Sequence, residues 1–198
     1  YDGTHYHGWQ IQPGRTTIEG VLNECLSGLL SEKTAVIGAS RTDSGVHALG
    51  NVAVFDTCAR IPAKKFSYAL NQRLPEDIRI RGSREVPPSF HPRKTSSIKT
   101  YEYRILNEEF PDPVKRLYSY FTYRALDEER MRLAAAYLVG EHDFASFCSS
   151  GSQAATTVRT LYEAEIFKEG SLITLRVSGN GFLYNMVRII AGTLIKVG

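Results

Sequence analysis

The chain has 198 residues, of which 42% are hydrophobic and 23% are charged, and its net charge is +3. This composition predicts a soluble globular protein with a hydrophobic core and excludes a disordered chain. No apolar run approaches the ~20 residues of a membrane span, and no basic and then apolar signal segment opens the chain. We therefore expect a cytoplasmic protein with no membrane partner. The three cysteines are scattered and form no C-x-x-C motif, which argues against a disulfide framework and against a zinc site.

Helices and strands alternate through the first half of the chain. The run Thr16–Glu19 matches a capping box with Thr16 as the N-cap, and apolar residues at helical spacing then predict a helix over 17 to about 30. Pro62 suits the first turn of a second helix. The alternation of isoleucine and arginine within 77–86 predicts a strand. This order favours an α/β or α+β fold with helices on one face of a sheet.

The stretch Gly38–His47, with the sequence GASRTDSGVH, lies between two short β-rich runs. It places Arg41 and Asp43 at the tip between two predicted strands. Asp and Ser can hydrogen-bond to their own backbone and Gly45 can adopt a positive φ, so the tip has the chemistry of a turn. Most Asp-x-Gly tripeptides are only turns, and a plain hairpin turn is the alternative interpretation. Other residues elsewhere in the chain, which could act together with Asp43, favour a functional role for it.

A strictly alternating segment, Lys99–Ile105, opens the second half. It predicts a strand with Tyr101 on the same face as two other apolar or aromatic residues, in a core or in a pocket. Basic residues outnumber the single acid, Glu102, from His91 to Arg104. We favour a stripe that contacts phosphates over a solvated linker, because the basic run leads directly into the aromatic strand.

The remaining elements of the second half repeat the mixture of the first half. We predict a strand over 117–123, a helix capped by Asp127 that ends near 139, a helical turn or loop over 142–147, and strands over 158–167 and 172–177. The two halves thus have similar elements. They predict two mixed α/β subdomains, residues 1–95 and 96–198, with a pseudo-twofold relation.

The last segment, Gly179–Gly192, begins with an Asn-Gly turn and continues as a predicted helix. Arg188 is the only charge between Arg176 and Lys196 and has apolar neighbours. A buried guanidinium without a partner costs several kcal/mol. Arg188 therefore either extends outward to solvent or meets a buried carboxylate, for which Asp43 is the candidate.

Four motifs in this chain resemble the tRNA pseudouridine synthase A (TruA) family. They are YDGT-x-Y-x-GWQ at 1–10, RTDSGVHA at 41–48, KTYEYRI at 99–105 and GFLYNMVRIIAG at 181–192, in the order of the family. The resemblance extends over essentially the whole chain. It departs at both ends, where the family has a strand before Tyr1 and a further segment after Gly198, so we expect a chain trimmed at both ends.

The resemblance implies a function and a role for four residues. Asp43 would be the catalytic aspartate, Tyr101 would stack on the target base, and Arg188 would pair with the aspartate. Arg41 would help to hold the target nucleotide out of the RNA stack. The implied substrate is uridine on the 3′ side of the tRNA anticodon stem-loop, and the implied assembly is a homodimer of two α/β domains around a positively charged cleft.

The implied reaction breaks the bond from C1′ to N1 and joins C1′ to C5, which needs neither redox change nor a group donor. We accordingly expect no cofactor, and no metal, because His5 and His7 have no third ligand at a suitable spacing. Attack by the carboxylate on C1′ or C6 and a glycal route both remain open. The alternative functions are an RNA-binding module without catalysis and, more distantly, a glycoside hydrolase, which would need a second carboxylate.

Overall fold

The computed structural model describes all 198 residues. Contacts between residues divide them into two compact units, Tyr1–Thr95 and Ser96–Gly198. Each unit contains both helices and strands, which confirms the mixed α/β fold class expected from the sequence. None of the helices is long and apolar enough to cross a membrane.

Helix α1, Ile18–Leu30, supplies one side of the core of the first unit. It buries three residues at helical spacing: Ile18, Leu22 and Leu26. Its N-cap is Thr17, whose hydroxyl accepts a hydrogen bond from the Gly20 amide. The predicted Thr16 cap is therefore wrong by one residue. The Glu19 carboxylate accepts a hydrogen bond from the backbone of the preceding loop instead of closing a capping box.

Two short strands and a second helix complete the regular structure of the first unit. Strands β1, Ile37–Gly38, and β2, Ala53–Val54, pair antiparallel on either side of the predicted turn. A 3₁₀ turn, Ala63–Lys65, follows Pro62 and leads into helix α2, Phe66–Asn71. The predicted second helix is thus confirmed.

The strand predicted over 77–86 is wrong, because this segment has no partner strand. The side chain of Asn71 takes the place of a neighbouring strand. Its amide nitrogen donates to the carbonyl of Ile80 at 2.9 Å, and its oxygen accepts from the amide of the same residue at 2.8 Å. Alternating isoleucines are buried or partly buried here, so the alternation in the sequence reflects packing without a sheet.

The second unit is built on one five-stranded sheet with the strand order β4-β3-β7-β6-β5. The strands are β3, Lys99–Asn107; β4, Tyr120–Thr122; β5, Gly140–Asp143; β6, Val158–Glu169; and β7, Leu172–Gly179. Only β3 and β4 run parallel, and all other neighbours are antiparallel. The strands predicted in this unit are confirmed. The helical turn or loop expected over 142–147 is only partly present: its first residues belong to β5, and only Ala145–Phe147 forms a helical turn.

Helices α3, Glu128–Ala136, and α4, Met186–Val197, pack with one face of this sheet around the larger core. Asp127 caps α3 as predicted and accepts hydrogen bonds from two amides of its first turn. Helix α4 begins later than expected, because residues between the Asn-Gly turn and Asn185 stay irregular. Asn185 precedes the helix in the left-handed conformation, with φ 59°.

Candidate functional site

The loop between β1 and β2 places Arg41 and Asp43 in the first unit. Arg41 is exposed, and Asp43 is half-buried. Thr42, which lies between them, is only 9% exposed. The amide of Val46 donates to the carbonyl of Asp43 at 3.2 Å, and Gly45 has φ 75°, so the tip is the turn that the sequence predicts. The guanidinium at the tip is therefore accessible, while the carboxylate two residues later is partly shielded.

Backbone hydrogen bonds from the segment Tyr1–Trp9 hold this loop along much of its length. The Ala48 amide donates to the carbonyl of Tyr1 at 3.0 Å. The Gly45 amide donates to the carbonyl of Tyr6 at 3.2 Å, and the Trp9 amide donates to the carbonyl of Thr42 at 3.0 Å. The two segments thus form one backbone-bonded layer in which Asp43 lies between anchored neighbours.

Two glycines of the N-terminal segment, Gly3 and Gly8, are required by this close approach. A Cβ atom at Gly3 would lie 2.1 Å from the carbonyl oxygen of Val46. Gly8 has φ 82°, and a Cβ atom at this position would lie 2.6 Å from the carbonyl oxygen of Thr42. A side chain would therefore meet backbone directly beside Asp43, in a conformation that L-residues seldom adopt.

His47, four residues after Asp43, lies against the same segment. Its Nδ1 lies 2.9 Å from a carboxylate oxygen of Asp2 and 3.1 Å from the backbone nitrogen of Gly3. The carboxylate oxygen of Asp2 also accepts hydrogen bonds from the amide and hydroxyl of Thr4. These contacts tie the end of the loop to the first turn of the chain by side chains as well as by backbone.

Tyr101 lies on β3 in the second unit and is half-buried on the face that packs against the core. Its ring meets that of Phe182 edge to face, with 4.9 Å between centroids. The residues on either side of it point to the opposite face and bond to neighbouring strands. The Thr100 hydroxyl lies 2.8 Å from that of Ser178, and the Glu102 carboxylate accepts from Arg176 at 2.8 Å.

The ion pairs on this opposite face involve part of the predicted basic stripe. Arg104 donates to Glu102 at 3.1 Å, next to the bond from Arg176. Hydrogen bonds from Arg176, and secondly from Arg104, lower the pKa of Glu102. In the first unit, Arg93 donates to the carbonyl of Gly38 at 2.9 Å, at the base of the loop that carries Asp43.

Arg188 lies in the first turn of α4 and is exposed. Burial raises the pKa of Tyr103, and the positive charge of Arg188 opposes part of that rise. Because Tyr103 and Tyr101 share the face of β3 that packs on the core, Arg188 and Tyr101 belong to the same side of the second unit's sheet.

The predicted residues therefore fall into two pairs, Arg41 with Asp43 on one loop and Tyr101 with Arg188 on one side of one sheet. Sequence reasoning missed Thr42 and Phe182 as residues that contact them, although both lie inside the recognised motifs. No group of three or more histidine, cysteine, aspartate or glutamate side chains is arranged to hold a metal ion.

Comparison with known proteins identifies the family. A profile described as tRNA pseudouridine synthase matches residues 1–93 and 134–198. The chain is 50% identical over 198 residues to the tRNA pseudouridine synthase A of Acetivibrio thermocellus, covering all of this chain and 81% of that protein. It is 51% identical to the protein of the same name from Ruminiclostridium cellulolyticum and 48% identical to that of Thermoanaerobacter sp., again over all of this chain and 81% of each relative.

These matches show that the chain is an enzyme of the class of isomerases that form pseudouridine. The chain belongs to the tRNA pseudouridine synthase family.

Proposed function

We propose that this protein converts uridine to pseudouridine in tRNA and that Asp43 is its catalytic residue. The observation that carries the proposal is the loop Arg41–Ala48, in which a half-buried carboxylate lies between backbone-anchored neighbours. The membership of the family supplies the reaction, and the loop supplies a carboxylate with a defined position. Positioning of a reacting group is a large part of enzymatic rate enhancement.

The conversion of uridine to pseudouridine requires one ionised carboxylate and a site that excludes water. The glycosidic bond between C1′ and N1 breaks, C1′ joins C5, and the proton leaves C5 while N1 regains one. Asp43 serves in this sequence either as a nucleophile toward C1′ or C6 or as a base in a glycal route. In both routes the reaction is a rearrangement within one nucleoside, so the carboxylate is returned unchanged.

A base inside a helical stem must leave the stack before a side chain can reach it, at a cost of a few kcal/mol. Stacking on an aromatic ring returns about 1–3 kcal/mol per base. We assign this stacking to Tyr101, whose edge contact with Phe182 fixes the plane of the ring. The exposed Arg41, on the same turn as Asp43, holds the flipped nucleotide or the adjacent phosphate.

Arg188 is proposed as the cation that keeps Asp43 ionised. A guanidinium beside a carboxylate favours its charged form. Arg188 supplies the positive charge for this role, and the same charge opposes part of the rise in the pKa of Tyr103 that burial causes.

The proposed substrate is a uridine on the 3′ side of the tRNA anticodon stem-loop, and the proposed assembly is a cytoplasmic homodimer. The resemblance to the TruA family supports each of these assignments. Arg93 and the neighbouring basic residues would add affinity for phosphates that is independent of sequence and falls with added salt.

The test is the substitution Asp43→Asn, which removes the charge with little change of shape. We expect pseudouridine formation in anticodon stem-loop transcripts to stop, while binding of the same RNA persists. Asp56→Asn is the matched control, because Asp56 is an exposed aspartate of the same unit, and it should remain active. An active Asp43→Asn variant would refute the assignment and would favour the alternative of an RNA-binding module.

A further inference from the structure

The hydroxyl of Thr42, the residue directly before Asp43, is bonded inside the protein. It lies 2.7 Å from the hydroxyl oxygen of Tyr1. Asn51 Nδ2 lies 3.5 Å from the same tyrosine oxygen and 3.0 Å from the carbonyl oxygen of Ser40. Asn51 donates to the tyrosine oxygen, and in the short contact between the two hydroxyl groups either Tyr1 or Thr42 can donate.

Tyr1 takes part in this contact as a neutral phenol. Burial raises the pKa of Tyr1, and its hydrogen bonds to Thr42 and Asn51 offset part of that rise. The phenol therefore keeps its hydrogen through the neutral range. Thr42 shares this hydrogen bond in a nearly solvent-free position, where a hydroxyl without a partner would be costly.

The backbone of Thr42 is fixed as well as its side chain. Its carbonyl accepts from the Trp9 amide at 3.0 Å. Successive Cα atoms across a trans peptide bond stay about 3.8 Å apart, so a rotation of Thr42 must move Asp43. On the other side of Asp43, the Gly45 amide is bonded to the carbonyl of Tyr6. The Tyr1 hydroxyl thus supplies a side-chain hydrogen bond from the N-terminal segment to Thr42, the residue directly before Asp43.

We infer that Tyr1 is a positioning residue, which acts through the Thr42 hydroxyl to orient the Asp43 carboxylate for the reaction. The inference rests on the proposed function and deepens it. It assigns a role in turnover to a side chain whose hydroxyl bonds to Thr42 and Asn51. Displacements of about 1 Å at a reacting group can lower a rate about 100-fold, so the loss of one hydroxyl contact is sufficient for a measurable effect.

The substitutions Tyr1→Phe and Thr42→Val remove the two hydroxyl groups with little change of shape. We expect each to lower kcat on the order of 10-fold to 100-fold while the KM for tRNA stays within about 2-fold. Thr42→Ser keeps the hydroxyl and should retain most of the activity. The double variant Tyr1→Phe/Thr42→Val should be no slower than the slower single variant, because both remove the same contact. Release of tritium from C5 of labelled uridine in tRNA measures the rate.

Tyr6→Phe is the matched control. Tyr6 belongs to the same segment, and its hydroxyl also makes one short hydrogen bond, but to Asp77 at 2.6 Å. This variant should lose stability while its kcat per folded molecule stays unchanged. A normal kcat in Tyr1→Phe would overturn the inference. An equal loss of kcat in Tyr1→Phe and Tyr6→Phe would overturn it too, because a general structural effect would then explain both.

The failure of this inference is distinguishable from failure of the proposed function. If Asp43→Asn is inactive and Tyr1→Phe has a normal kcat, Asp43 keeps its role and the positioning role of Tyr1 is refuted. If Asp43→Asn is active, the proposed function and the inference that rests on it are both overturned.

Discussion

Gly8→Ala probes the contact between the N-terminal segment and the loop of Asp43 most directly. The added Cβ would lie 2.6 Å from the carbonyl oxygen of Thr42, about 0.8 Å inside the 3.4 Å at which ordinary contact begins. The atom on the other side is backbone, so no side-chain rotation relieves the clash. The backbone φ of 82° adds strain of about 1–2 kcal/mol for any L-residue.

We expect Gly8→Ala to lower the free energy of unfolding by about 2–4 kcal/mol, the sum of this strain and the loss of the hydrogen bond from Trp9 to Thr42. Urea denaturation followed by tryptophan fluorescence measures the change, since the single tryptophan is at the contact. The rate of pseudouridine formation per folded molecule should fall as well, because the carbonyl that must move belongs to the residue before Asp43.

Gly14→Ala separates the two contributions. Gly14 has a similar φ of 68°, but a Cβ there would meet nothing within 4 Å. It should therefore lose only the strain, about 1–2 kcal/mol, and keep its activity. Equal losses of stability in the two variants, or full activity in Gly8→Ala, would refute the argument that backbone contact at Gly8 holds the loop.

Three further predictions concern the side chains of the site and its surroundings. Tyr101→Phe should keep tRNA affinity, whereas Tyr101→Leu should weaken binding and turnover by about 1–3 kcal/mol through lost stacking; equal behaviour of the two variants in filter binding and rate assays would contradict stacking. Arg188→Ala should slow turnover about 10-fold to 100-fold, as expected for a lost charge-assisted hydrogen bond of about 1.5–3 kcal/mol. It should also move the acidic limb of the pH–rate profile to higher pH. An unchanged profile would refute the pairing of Arg188 with Asp43. Burial, and secondly the Asp77 carboxylate, raise the pKa of Tyr6 in the folded state, so stability should decline as pH rises above about 10, and this part of the decline should be absent from denaturation curves of Tyr6→Phe.

The elements that the sequence predicted well have local causes. Helix α3 has an aspartate cap and α1 has a long apolar stripe, and both are present with bounds within a few residues of those expected. The wrong N-cap of α1 arises because two threonines are adjacent there, and only the backbone conformation decides which one bonds to the helix.

The elements that were predicted wrongly depend on contacts distant in sequence. The segment 77–86 alternates like a strand, yet the amide side chain of Asn71 satisfies its backbone at Ile80. Strand β5 was missed because Glu141, His142 and Asp143 are polar and exposed and show no alternating apolar pattern. This segment is an edge strand only because it pairs with β6. Neither arrangement has a local signature in a single sequence.

The same distinction applies to the candidate site. Asp43, Arg41, Tyr101 and Arg188 were recognisable because they lie within motifs that resemble a family. The contact of Tyr1 with Thr42 joins two different motifs, and neither motif alone indicates that the other supports it. The contact can be inferred only from the structure, in which the two hydroxyl oxygens lie 2.7 Å apart.

The loop of Asp43 in the first unit and the strand of Tyr101 in the second unit are supported by different kinds of contact, and this difference predicts where substitutions are tolerated. The loop of Asp43 is held mainly by backbone hydrogen bonds, which do not depend on side-chain identity. Substitutions along Tyr1–Trp9 should therefore spare the loop except where a side chain or a missing side chain is itself the contact, as at Tyr1, Asp2, Gly3 and Gly8. Tyr101 is instead flanked by side-chain bonds across the sheet, through Thr100 and Glu102. Its position should accordingly be the more sensitive of the two to polar substitutions at neighbouring positions.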